Sequence, residues 1–174
     1  MRAILDKLYR WSGYLAAACI VFICLIVSTQ VVLNLLTRLS GARINWFIPS
    51  YTDFAGYALA AASFLALAYT LTQGGHIRVT LVVGRMGRRW RKVAELFSLV
   101  LAALLSGAAS WFMIRLIGES LQFGDLSTGM VAIPIWIVQL PVAAGLVILT
   151  IALVDLFWQS LRSPDPVLVD EGGE

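Results

Sequence analysis

Apolar positions in this chain gather into four long runs instead of recurring at a short strand or surface-helix period. The first run, from Gly13 to Thr37, holds no charged residue. The second, from Tyr51 to Gln73, holds only Asp53, near its start. The third, from Val93 to Ile117, carries Glu95 and Arg115 near its two ends. The fourth, from Ile135 to Phe157, carries Asp155 in its last turn. A helix crossing a hydrocarbon core ~30 Å thick needs about 20 mostly apolar residues, because each adds about 1.5 Å. The pattern therefore predicts an all-α integral membrane protein with four transmembrane helices, at about 13–37, 51–73, 93–117 and 135–157. Residues 1–174 are read as a single transmembrane domain. Transmembrane strands are about 10 residues long and alternate in polarity; these runs do neither.

Composition agrees. Of 174 residues, 60% are hydrophobic and only 13% charged, against about a quarter charged in soluble domains. The first run has a basic start in Arg2, Lys7 and Arg10, as a signal peptide would. It is too long for one, and no small-residue cleavage site closes it, so it reads as a retained helix.

The net charge of +3 gives no reason to expect a nucleic-acid partner; its distribution along the chain matters more. Arg2, Lys7 and Arg10, then Arg78, Arg85, Arg88, Arg89, Arg91 and Lys92, then Arg162 fall on one side of a four-span layout. Arg38, Arg43 and Arg115 fall on the other. The positive-inside rule makes the first side cytoplasmic and predicts an N-in, C-in protein. The basic loop 74–92 and the acidic tail 159–174 are then cytoplasmic. The six tryptophans divide the same way: Trp11, Trp90 and Trp158 at one interface, Trp46, Trp111 and Trp136 at or near the other. Indole rings favour headgroup level.

Between the first two runs, Ile44, Trp46, Phe47 and Ile48 stand beside Arg43 and Asn45. This is either a short interfacial helix or an ordinary loop with an aromatic anchor. Pro49 and Ser50 supply a stop and an N-cap before helix two. In the cytoplasmic loop, Arg85, Arg88, Arg89 and Lys92 make one basic stripe if helical, with Met86, Trp90 and Val93 on the other side, so helix three is expected to begin around Arg85 as an amphipathic extension. Lipid headgroups are the simpler contact for the stripe, and a docking partner the sharper one; Trp46 and Trp90 join it as contact candidates. Small residues at four-residue spacing (Gly56 and Ala60; Ala58, Ala62 and Ala66; Ala102, Ser106 and Ser110, with Ala103 and Gly107 on a neighbouring row) are expected to form packing faces. Pro141 should bend helix four or free a carbonyl.

Catalytic chemistry has few candidates. His76 is the one histidine, beyond the end of helix two, so paired axial haem ligands are excluded. No cluster of His, Cys or carboxylates has metal-ligand spacing, and no serine motif accompanies His76. Cys19 and Cys24, five apart on one helix, face different directions and read as packing residues. No enzyme activity, cofactor or metal is expected. No helix centre carries a charged residue, which speaks against independent transport of a charged solute.

Three features resemble a known family, the small membrane (DctQ-type) subunit of tripartite ATP-independent periplasmic (TRAP) transporters. Leu67 through Gly74-Gly75-His76-Ile77-Arg78-Val79 is similar to that family's end of helix two. Asp53 stands where the family commonly has an acidic residue. Ser127-Thr128-Gly129 through Ile133-Pro134-Ile135-Trp136, then Pro141, is similar to its approach to helix four. The family often has Val-Asp where Val79-Thr80 stands here.

The resemblance implies an accessory subunit in the bacterial inner membrane. It would pair with a large (DctM-type) permease subunit fed by a periplasmic solute-binding protein, for ion-coupled symport of a small organic acid. The expected role is a scaffold anchored to membrane phospholipids, with no contact to solute. His76 and Arg78 would fix the cytoplasmic end of helix two. The alternatives are a standalone transporter or channel, or a membrane assembly factor.

Overall fold

The computed structural model describes residues 2–40, 46–73 and 88–162. Four α-helices account for nearly all of them: α1 (Arg2–Leu39), α2 (Tyr51–Thr72), α3 (Arg88–Phe123) and α4 (Ile135–Arg162). Each is long and apolar enough to cross a membrane. Among the described residues the one strand-like feature is an isolated bridge between Leu126 and Pro134.

The helices overrun the apolar runs. α1 begins 11 residues before Gly13, and α3 extends past both ends of its run. A 38-residue helix is about 57 Å long, so α1 reaches well into the headgroup layers or tilts. Polar residues adjoining a span simply continue the helix, because backbone groups near lipid are best satisfied within the segment. Thr29, Thr37, Ser63 and Thr70 return their hydroxyls to carbonyls four residues back, which satisfies each donor inside its own helix.

The helices form an open row. α3 packs on α4, α4 on α2 and α2 on α1, while α1 only brushes α4. At the end of the row that holds both the α1 start and the α4 end, here the terminal end, Tyr9, Ala68 and Ala152 form one buried cluster. Leu99, Leu153 and Leu156 form a second, and Leu71 packs against both. Farther along, α2 and α3 leave between them, over α4, a groove of about 580 Å³ lined by Phe64, Phe112, Met113, Leu116 and Val142.

The closest helix approaches are at Gly145 and Gly13, while at Gly107 a Cβ would make ordinary contact with Thr150 at 3.7 Å. A Cβ on Gly145 would lie 2.5 Å from the carbonyl of Phe64, so α4 touches the α2 backbone there. A Cβ on Gly13 would lie 2.9 Å from the Tyr69 ring. Gly56 has nothing near its Cβ position and is exposed. Helix two's buried face is Ala61, Ala62, Leu65 and Ala68, so Ala62 is the member of the expected small-residue rows that lies fully inside. The α3 row is where it was expected: Ser106 and Ser110 are buried and meet Thr150 of α4 at 3.1 and 3.3 Å. The Thr150 hydroxyl also lies 2.8 Å from the Leu146 carbonyl. On the α1–α2 side, the buried Ser12 hydroxyl donates to the Leu65 carbonyl.

Residues 46–48 are not helical. Trp46 N donates to Thr37 Oγ1 at 3.3 Å and Ile48 N to Gln30 Oε1 at 2.8 Å. The segment folds back along α1, whose side chains take the backbone donors that a helix would have used, and residues 41–45 of the expected interfacial helix lie outside the described residues. Cys24 is exposed on the outer face of α1, whereas Cys19 is half-buried.

Candidate functional site: the junction of α2 with the α3–α4 loop

At the end of the row opposite the termini, the loop after α3 is braced on the start of α2. α3 stops because Gly124 adopts φ 65°, a left-handed conformation that suits glycine. Asp125 N then donates to the Ser120 carbonyl at 3.2 Å, closing the turn in the manner of a Schellman cap. Ser127 N donates to the Ile133 carbonyl at 2.8 Å and Ile135 N to the Asp125 carbonyl at 3.0 Å. These bonds pinch residues 125–135 into a small hairpin whose base is the Leu126–Pro134 bridge. α4 starts directly after Pro134, whose carbonyl accepts from Ile137 N at 3.1 Å.

Three contacts seat that hairpin on α2. Tyr57 Oη and Ser127 Oγ are 2.7 Å apart. Val131 N donates to Ser50 Oγ at 3.0 Å. Gly129 lies so close to Asp53 that a Cβ there would overlap Oδ2 and stand 3.3 Å from Cγ. Asp53 and Tyr57, four apart, share one face of α2, and residues 127–131 lie along it.

Ser50 departs from its expected role. It occupies the N-cap position of α2 but makes no side-chain cap bond, and its φ is 56°. Its hydroxyl is committed to Val131, while its carbonyl accepts from Asp53 N and Phe54 N, each at 3.0 Å. Asp53 sits in the first turn of α2, where a carboxylate complements the positive end of the helix dipole. Among the described residues no side chain bonds it.

Asp53, Gly129 and Pro134, three of the expected site residues, thus belong to one junction. Trp136, half-buried in the first turn of α4, is beside it. Pro141 lies inside α4, where it cannot donate to the Ile137 carbonyl. Gly75, His76, Ile77, Arg78 and Arg85 lie outside the described residues, as does Arg43. Arg88 and Arg89 open α3, and Lys92 is half-buried while Trp90 and Val93 face outward. Trp46 is exposed beside the junction's end of α1. Trp90 and Trp111, both exposed, are 21 positions apart on α3, a rise of about 31 Å, the thickness of a hydrocarbon core.

The sequence reading passed over Gln30, which is buried, accepts from Ile48 N and donates to Asn34 Oδ1 at 3.0 Å. Its signal was a pair of amides four apart in an otherwise apolar helix. Tyr57 carried no comparable signal, and Ser127 stood out only as the start of the approach to helix four. At the terminal end, Asp6 and Asp155 line one pocket with Tyr9. No group of three or more metal-ligating residues occurs among the described residues.

The junction ties together two of the three features on which the family resemblance rested, Asp53 and the approach to helix four, and comparison with known families decides the matter. Residues 23–163 match the family described as Tripartite ATP-independent periplasmic transporters, DctQ component. This chain belongs to the DctQ family. It is therefore a multi-pass membrane protein and a small membrane component of a TRAP transporter, with the four long apolar helices that such a subunit needs. Comparisons with curated proteins and with solved structures yield no match. Within this DctQ chain the matched region contains the whole junction and ends just past α4.

Proposed function

We propose that this chain is the static scaffold of its transporter. It holds a large DctM-type permease subunit in the bacterial inner membrane during ion-coupled uptake of a small organic acid that a periplasmic solute-binding protein delivers. Both termini then face the cytoplasm, as the ten-to-three division of basic residues suggests.

The open row of helices is the observation that carries this reading. An autonomous transporter needs polar groups lining a path through the bilayer. Here many of the polar side chains between helices are hydroxyls bonded to neighbouring hydroxyls and carbonyls, such as Ser12, Ser106, Ser110 and Thr150, while the buried Gln30 and Glu95 lie toward the ends of α1 and α3. The two edge helices turn broad apolar faces outward, including Phe22, Leu25, Val31 and Leu35 on α1 and Phe97, Leu101, Leu104 and Phe112 on α3. Such faces suit lipid or a partner's helices. Exposed Trp11, Trp90 and Trp158 anchor one interface and Trp46 the other, and they resist sinking and tilting. His76 and Arg78 would fasten the cytoplasmic end of helix two to headgroup phosphate or helix carbonyls.

Reconstitution tests the proposal. Liposomes holding this chain alone should show no solute flux. Liposomes holding it with the large subunit, the binding protein and an ion gradient should take up solute. Flux through this chain alone would refute the scaffold role.

A further inference from the structure

The terminal end of the row contains a pocket for which neither the fold nor the proposed function has a use. It measures about 280 Å³ and is lined by Asp6 and Tyr9 of α1, Thr72 of α2, and Asp155, Leu156 and Gln159 of α4. Its chemistry is one-sided. Asp155 Oδ2 accepts from Gln159 Nε2 at 2.8 Å, which leaves the other Asp155 oxygen and the Gln159 carbonyl oxygen open. Asp6 has no cationic partner among the described residues. Thr72 has already given its proton to its own helix, with Ala68 and Tyr69 carbonyls at 3.1 and 2.9 Å, and offers only lone pairs. The pocket is therefore rich in acceptors and poor in donors.

Tyr9 supplies a second, independent observation. It is 3% exposed, and its hydroxyl is buried without a hydrogen-bond partner. A buried, unbonded hydroxyl costs about 1–3 kcal/mol, so its place in the wall of a polar pocket calls for a ligand atom.

From these groups we infer that the pocket binds the primary ammonium of a phospholipid headgroup, as in phosphatidylethanolamine. An ammonium brings three N–H donors and one positive charge, matching two carboxylates and several neutral acceptors. A bare metal ion fits poorly, since no third ligating carboxylate, His or Cys joins the pair among the described residues. The depth is right for a headgroup: Trp11 is two residues from Tyr9 and Trp158 three from Asp155, both exposed, and such rings mark the interface. Trp158 also stacks under Arg162, 5.0 Å from the ring centre. Lys7 and Arg10, exposed on either side of Tyr9, supply cations for the phosphodiester.

Native mass spectrometry of the full chain in detergent doped separately with phosphatidylethanolamine, phosphatidylglycerol or phosphatidylcholine tests this. Phosphatidylglycerol lacks the amine, and phosphatidylcholine has the charge without the N–H donors. The expected result is retention of phosphatidylethanolamine about tenfold over both, a ratio worth about 1.4 kcal/mol. Asp155→Asn and Asp6→Asn should each reduce the preference by more than half. Asp6 is exposed, so its variant should melt as the wild type does, separating loss of binding from loss of fold. Equal retention of the three lipids, or a preference that survives both substitutions, would overturn the proposal.

Discussion

Gly129 and Asp53 are in direct contact across 76 positions of sequence: the glycine's missing side chain is the space that the carboxylate occupies. Gly129→Ala should force Asp53 to rotate, and because that carboxylate is free to turn aside the cost should stay near the low end of overpacking, about 1 kcal/mol. Asp53→Ala alone should cost less, because its carboxylate is bonded to no described side chain. The double variant should recover most of the loss, a coupling of about 0.5–1 kcal/mol. Thermal unfolding of the four forms in one detergent measures it, and additive effects would show that the contact is not what makes Gly129 necessary.

Ser50 separates two effects at one position. Its left-handed backbone costs a residue with a Cβ about 1–2 kcal/mol, while its hydroxyl holds Val131 N. Ser50→Ala loses the bond and keeps the strain. Ser50→Gly loses the bond and relieves it. The glycine variant should therefore melt above the alanine variant, and the reverse order would contradict the strained N-cap.

Two glycines on neighbouring helices should respond oppositely to alanine. Gly145→Ala sets a methyl against the Phe64 carbonyl, a backbone group that cannot swing aside, and should cost about 1–3 kcal/mol or more. Gly56→Ala meets open space and should be neutral or stabilising by up to about 1 kcal/mol. Equal melting shifts for the two variants would mean that α4 does not approach α2 at Gly145.

How much of this was legible beforehand follows from the same residues. Length and polarity are local properties, so four spans were plain from the runs and an early start of α3 from its basic stripe, while the overrun by α1 and by the far end of α3 was missed because helices do not end where hydrophobicity does. Gly56 and Gly145 look alike in sequence; only the neighbour that each faces tells them apart. Asp53, Gly129 and Pro134 were singled out by family likeness, but their meeting depends on the α3–α4 loop returning to α2. The Asp6–Asp155 pocket needed the order of helices in the row, which no local pattern encodes.

The hydroxyl knot between α3 and α4 makes a smaller prediction. Thr150→Val keeps the shape and removes the group that Ser106 and Ser110 share. Interhelical polar contacts in membranes average about 0.6 kcal/mol, so the melting temperature should fall slightly with assembly intact. A loss of assembly would point to a role for Thr150 beyond helix packing.

The central claim is that this subunit exists to hold a larger one. The most direct measurement is the mass of what co-purifies when the tagged chain is expressed in mild detergent with and without its large membrane subunit. The scaffold account predicts a stable complex near one-to-one and poor recovery of either chain alone. A well-behaved assembly of this chain by itself, indifferent to the large subunit, would contradict it.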